Sequence, residues 1–147
     1  MNDPFHLERF VVAQKPVYAA IAGELRAGRK QSHWMWFIFP QLKGLGKSED
    51  AEHYGIASVD EARAYLAHKT LGPRLRECCE LLLAIPRQPI EGILGQIDAL
   101  KLRSSMTLFA AADPDEPLFT RLLNRYYMGQ NDTLTLRLLW AHERKSA

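Results

Sequence analysis

The chain has 147 residues, of which 47% are hydrophobic and 24% charged, and its 19 basic and 17 acidic side chains leave a formal net charge of +2. That length suits one domain that buries a core without a metal or disulfide staple. The interspersed charges lack the clustered Lys and Arg of a nucleic-acid footprint, which makes nucleic acid the least favoured partner. No apolar run approaches the ~20 residues of a membrane span, and the N-terminus has no signal pattern. The only cysteines, Cys78 and Cys79, are adjacent and ill placed to bridge each other. A cytoplasmic, reducing location is expected.

Asp3 before Pro4 predicts a helix start, with an acceptor at the N-cap and proline at the first helical position. Pro16 breaks that helix near Lys15. A second helix follows, apolar at Tyr18, Ile21, Ala22 and Leu25, and Gly28 is placed to end it. The basic run at 26–30 reads as a solvated helix end. Residues 34–39 are apolar without interruption and hold two of the three tryptophans. They read as a short buried turn of helix with irregular flanks. A loop from Gln41 to Gly46 leads to Ser48, which caps a short helix.

Ser58 and Glu61 form a capping box for the next helix, to about His68. Thr70 is expected to cap the one after it, with Pro73 tolerated in the first turn. Its stripe of Leu71, Leu75, Cys78, Cys79 and Leu82 makes both cysteines small core hydrophobes. After Pro86 come a short turn at 89–95, a long helix at 96–112 and a loop at 113–117. A helix with Phe119, Leu122, Leu123 and Tyr126 facing inward then runs to Gly129. Asp132 caps a last helix expected to bury Leu134, Leu138 and Ala141 and to fray over 144–146. No strand alternation or hairpin turn appears. The reading is a single all-α domain spanning 1–147, with its core at about 3–140 and about eight helices.

The anomaly is the helix carrying Lys101. At about 100° per residue from Ile97, Ser104 and Leu108 fall about 20° to either side, Lys101 about 40°, Ser105 about 80° and Asp98 about 100°. Lys101, Ser104 and Ser105 thus share the arc that Ile97 and Leu108 mark as core-facing. Asp98 sits one turn before Lys101, at a pairing distance. A buried lysine is costly unless paired. Two readings stay open: a buried Asp98–Lys101 pair that fixes helix packing, or a face that opens on a pocket. Ser32, His33, Trp34, Trp36 and Gln41 would supply the other wall of that pocket.

The five histidines make no ligand pair of the H-E-x-x-H kind, so no metal site is expected, and no cofactor is implied. Gly44-Leu45-Gly46-Lys47-Ser48 ends like a phosphate-binding loop but lacks its strand and first glycine. It reads as a loop into a capped helix.

The strings Lys30-Gln31-Ser32-His33-Trp34-Met35-Trp36-Phe37-Ile38-Phe39-Pro40-Gln41 and Lys101-Leu102-Arg103-Ser104-Ser105-Met106-Thr107-Leu108-Phe109 are highly specific. With Tyr54-Gly55-Ile56, Glu61-Ala62-Arg63-Ala64-Tyr65-Leu66 and Gly129-Gln130-Asn131-Asp132-Thr133-Leu134, they closely resemble a mostly bacterial all-α family of unknown function, over about 3–140. Some members carry the label calpastatin; calpain-inhibitor segments are polar and disordered, and nothing here looks like one. The lysine-bearing helix and the Gly129–Asp132 turn are also loosely similar to the NADAR (NAD- and ADP-ribose-associated) superfamily of all-α N-glycosidase-type enzymes.

That likeness implies a hydrolase or N-glycosidase-like enzyme acting on a nucleotide or ADP-ribose-type ligand. In the expected site Lys101 binds a phosphate as a point charge. Ser104, Ser105, Ser32 and Gln41 supply hydrogen bonds, and Trp34 or Trp36 stacks on a ring. Asp98, then His33, is the candidate base. The alternative is a non-enzymatic protein-interaction module anchored by the Trp-rich segment.

Overall fold

The structure, a computed structural model, describes residues 2–146, and their side chains as far as His142. Among the described residues ten helices follow one another: α1 Glu8–Gln14, α2 Tyr18–Arg26, α3 Met35–Ile38, α4 Glu49–His53, α5 Val59–Ala67, α6 Leu71–Ala84, α7 Ile90–Leu94, α8 Gln96–Ala112, α9 Pro117–Tyr127 and α10 Thr133–Ser146. The excess over about eight comes from α3 and α7, single turns that the sequence pattern counts only as turns. Among the described residues there is no strand, only one isolated parallel bridge between Leu42 and Ile56. The fraying expected at 144–146 is not seen, because α10 continues as helix to Ser146.

The chain packs around two long helices. The stripe of α6 (Leu71, Leu75, Cys78, Cys79, Leu82) is fully buried and meets α2, α5 and α9. Burial pushes the Cys78 thiol up to about 12 and Cys79 well above its usual value, so both are inert hydrophobes. Helix α8 packs against α5, α7, α9 and α10. A chain of rings joins the layers: Phe10 to Tyr65 at 5.1 Å, Tyr65 to Phe109 at 5.4 Å and Phe109 to Phe119 at 5.7 Å. Gly72 lets α6 start hard against α5, because a Cβ there would lie 2.1 Å from the Leu66 carbonyl oxygen.

The caps show where local reading holds. Ser58 Oγ accepts from Glu61 N at 3.2 Å. Glu61 itself turns to Ala57 N and to Arg9 instead of completing the box. Thr70 makes no side-chain cap to α6. His68 replaces it, its Nδ1 accepting from Thr70 N and Leu71 N at 3.0 and 3.2 Å. Helix α1 begins later than Asp3-Pro4 predicts, because His6 turns the backbone to φ 54°. The Asp3 carboxylate still accepts from Leu7 N and Glu8 N at 2.8 and 3.0 Å. In α10, Asp132 accepts from Thr135 N at 3.0 Å. Thr135 and Leu139 are buried while Leu134 is 48% exposed, so the inward face lies one residue from the expected one.

Candidate functional site

The Trp-rich segment is held from both sides. Gln14, buried at the end of α1, donates through Nε2 to the Phe37 carbonyl at 2.7 Å and to Tyr65 Oη at 3.1 Å. On the other side Glu24 of α2 gathers the loop before α3. Its carboxylate accepts from Gln31 N at 2.6 Å, Ser32 N at 3.1 Å, Ser32 Oγ at 2.5 Å and Trp34 Nε1 at 2.9 Å. Burial acts to raise the Glu24 carboxyl, but the hydrogen bonds from Ser32, Gln31 and Trp34 outweigh it and hold it down at about 2. Trp34 is left 1% exposed. The opening loop is also tied to α7, since Lys30 N donates to Ile93 O at 2.8 Å.

This pinned segment lies beside the N-terminal half of α8. Lys101 Nζ stands 3.3 Å from Asp98 Oδ1 and 3.7 Å from the Trp36 ring centroid. A second lysine completes the group: Lys30 Nζ is 2.9 Å from Asp98 Oδ2 and 5.2 Å from the Trp34 ring centroid. The side chains of Lys30, Asp98 and Lys101 are 9%, 17% and 21% exposed. Two ammonium groups therefore share one carboxylate, at the edge of the surface and against two indole faces.

The arc around Ile97 is not the core-facing side of α8. Ile97 is 71% exposed and Leu100 61% exposed, whereas Ala99 and Leu102 are buried. The first turns of α8 thus bury nearly the opposite side. The Tyr127 hydroxyl donates to the Ala99 carbonyl, which brings the end of α9 in over that small residue. Lys101 consequently lies at the rim, not in the core.

Of the residues expected in a pocket, Asp98, Lys101, Trp36 and Trp34 are brought together. Ser32 is bound to Glu24, and His33 is exposed with no partner among the described residues. Ser104 Oγ donates back to Leu100 O at 3.3 Å, and the buried Ser105 Oγ has no partner among the described residues. Gln41 lines a separate cavity with Trp36, Leu42, Gly46, Ala51, Tyr54 and Gly55. Its volume of about 10 Å³ is room for one water. Among the described residues no group of three or more His, Cys, Asp or Glu is placed to hold a metal ion.

Sequence reasoning missed Lys30 and Glu24. Nothing local pairs Lys30 with Asp98, which lies far along the chain. Glu24 did leave a signal: an acid near a helix C-terminus opposes the dipole, which points to work done elsewhere.

The fold and cluster define a small all-α domain with a lysine–aspartate–indole group at its surface. Residues 4–139 match the model of a family described as a protein of unknown function, DUF1810, and the chain belongs to that family. It is similar to a crystal structure, that of the conserved hypothetical protein Rv1873 from Mycobacterium tuberculosis. The two are 56% identical, with 93% of this chain and 98% of that one covered and a TM-score of 0.92. Neither description names a calpastatin or a NADAR enzyme. Curated proteins provide no match to the chain. No helix among the described residues is long and apolar enough to cross a membrane.

Proposed function

We propose that the chain binds a phosphate-bearing small molecule at the Lys30–Asp98–Lys101 cluster. The observation that carries this is the two-to-one ratio of ammonium to carboxylate at a half-open surface. Two cations drawn partly out of water against one anion leave surplus positive charge, which an incoming anion neutralises. The neighbouring cavity has room for no more than a water, so the ligand lies across the surface. A planar ring reaches the Trp36 face when its phosphate draws Lys101 aside.

The enzymatic form of this reading is hydrolysis of an N-glycosidic or phosphate bond in a nucleotide or ADP-ribose-type ligand. Each oxygen of Asp98 faces a lysine, which makes Asp98 the group that positions the lysines. The test is a thermal-shift series with ADP-ribose, NAD and AMP, followed by product analysis. One of the three raises the melting temperature of the wild type, and Lys101→Met abolishes the rise. No shift with any of them refutes the binding role. A shift without product retains binding and removes the hydrolase.

A second reading, a protein-interaction surface, draws on the exposed Ile97 and Leu100 beside Lys101. It places the contact on α8 and not on the inward-turned Trp34. Sedimentation of the wild type against Ile97→Asp tests whether this face drives self-association.

A further inference from the structure

The surface has a second place where cations outnumber anions. Arg87, Gln88, Asn124, Arg125 and Tyr126 line a cleft of about 400 Å³ between the α6–α7 loop and the end of α9. That volume falls in the range of small-ligand sites. Among the described residues lining it, none carries a carboxylate. Arg87 is exposed and pairs with no described residue.

The cleft wall is fixed in advance. Arg125 Nη2 donates to Ile85 O at 2.5 Å, which orients the guanidinium while leaving its other N–H groups available. Its carbon lies 5.5 Å from the Tyr126 ring centroid, and the Tyr126 hydroxyl is anchored on Leu82 O at 2.6 Å. Gln88 Nε2 donates to Gly28 O at 3.3 Å. That bond ties the edge of the cleft to the end of α2.

A comparable cleft shows what an occupied arginine pair looks like. Arg63 and Arg76 share a cleft of about 320 Å³ with Asp113. There Arg63 faces Asp60 at 3.6 Å, and Arg76 faces Glu116 at 3.1 Å. The protein supplies those two guanidiniums with their anions. Among the described residues it supplies none to Arg87 and Arg125.

We infer that the Arg87–Arg125 cleft is an anion site for a phosphate group, free or carried as a monoester on a small metabolite. Arginine forks pair in-plane with two oxygens of phosphate or carboxylate. A tetrahedral phosphate can engage two guanidiniums and the flanking amides of Gln88 and Asn124 at once, whereas a planar carboxylate offers its oxygens in one plane. This site is independent of the Lys30–Asp98–Lys101 cluster.

The experiment is a titration of the full chain with inorganic phosphate, glycerol phosphate and acetate at constant ionic strength, followed by 1H–15N NMR. Arg125 Nε–H and the Gln88 side-chain amide report on the cleft, and Trp36 Nε1–H reports on the lysine cluster. Saturable shifts of the cleft reporters with phosphate are expected, unchanged in Lys101→Met. Arg87→Gln should weaken the affinity about tenfold, the loss of one charge-assisted contact. Arg125→Lys keeps the charge without the fork and should weaken it as well. The tighter of the two phosphate compounds names the source. Shifts that acetate reproduces, an unchanged affinity in Arg87→Gln, or movement of Trp36 alone would each overturn the assignment.

Discussion

Two ion clusters in this molecule use the same kinds of group and reach opposite outcomes. In the first, Arg9 spends all five of its N–H donors. Nε donates to His53 O at 2.8 Å, Nη1 to Phe5 O and His6 O at 2.7 Å each, and Nη2 to Gly55 O at 3.1 Å and Glu61 Oε2 at 2.8 Å. The Arg9 and Glu61 side chains are 8% and 4% exposed. One cation meets one anion, every donor is satisfied, and the cluster ties the N-terminal turn, the α4–α5 loop and α5 together. In the second, Lys30 and Lys101 share Asp98 with spare donors and an open rim. A sealed, balanced cluster has nothing to offer a ligand. An open one with surplus charge does. The contrast separates a structural ion pair from a binding site more sharply than burial alone.

The largest expected effect breaks the closed cluster. Arg9→Met leaves Glu61 buried and unpaired, and the loss of stability in urea unfolding should be about 3–5 kcal/mol. A loss below about 1 kcal/mol would place this pair with ordinary surface bridges and remove the contrast.

Next is Glu24, the acid that shapes the loop leading into the open cluster. Glu24→Gln weakens charge-assisted hydrogen bonds and should cost about 2 kcal/mol at neutral pH. Its folded value is depressed to about 2 from an ordinary 4.5. The stabilisation is therefore complete above about pH 4.5 and is lost as pH falls toward about 2. Urea midpoints for wild type and variant should converge across that window. Parallel curves would show that Glu24 does not carry the linkage.

Asp98→Asn removes the single anion from the open cluster. A cost of about 1 kcal/mol is expected for a partly exposed pair, together with tighter anion binding read by calorimetry. Weaker binding would make Asp98 part of the ligand contact. Smallest is Lys101→Met, with under about 1 kcal/mol of stability change but loss of the ADP-ribose or nucleotide shift. A large loss of stability with the shift retained would turn this lysine into a second Arg9.

Much of the fold was legible because it is local. Ser58 before Glu61, the α6 stripe through Cys78 and Cys79, and the apolar run over α3 fix elements by short-range sterics and side-chain spacing. What failed locally failed by a residue or a partner. His68 stood in for Thr70, and Thr135 and Leu139 took the inward place given to Leu134. In each case the competing group was chemically suitable, and only its neighbours selected it.

The sequence by itself determined that this is an all-α domain, which helices build it, and that Asp98 and Lys101 stand one turn apart. Helical period and capping chemistry act within a few residues, so they can be read without a neighbour. Only the tertiary structure decided which side of α8 is wet. Ile97 and Leu100 face solvent because α9 reaches Ala99, a contact no spacing within α8 encodes. The structure likewise decided that Lys30 crosses to Asp98 and that Arg87 meets Arg125 in one cleft. Charge balance belongs to a place, and a place is defined by chain segments that meet only once the core has closed.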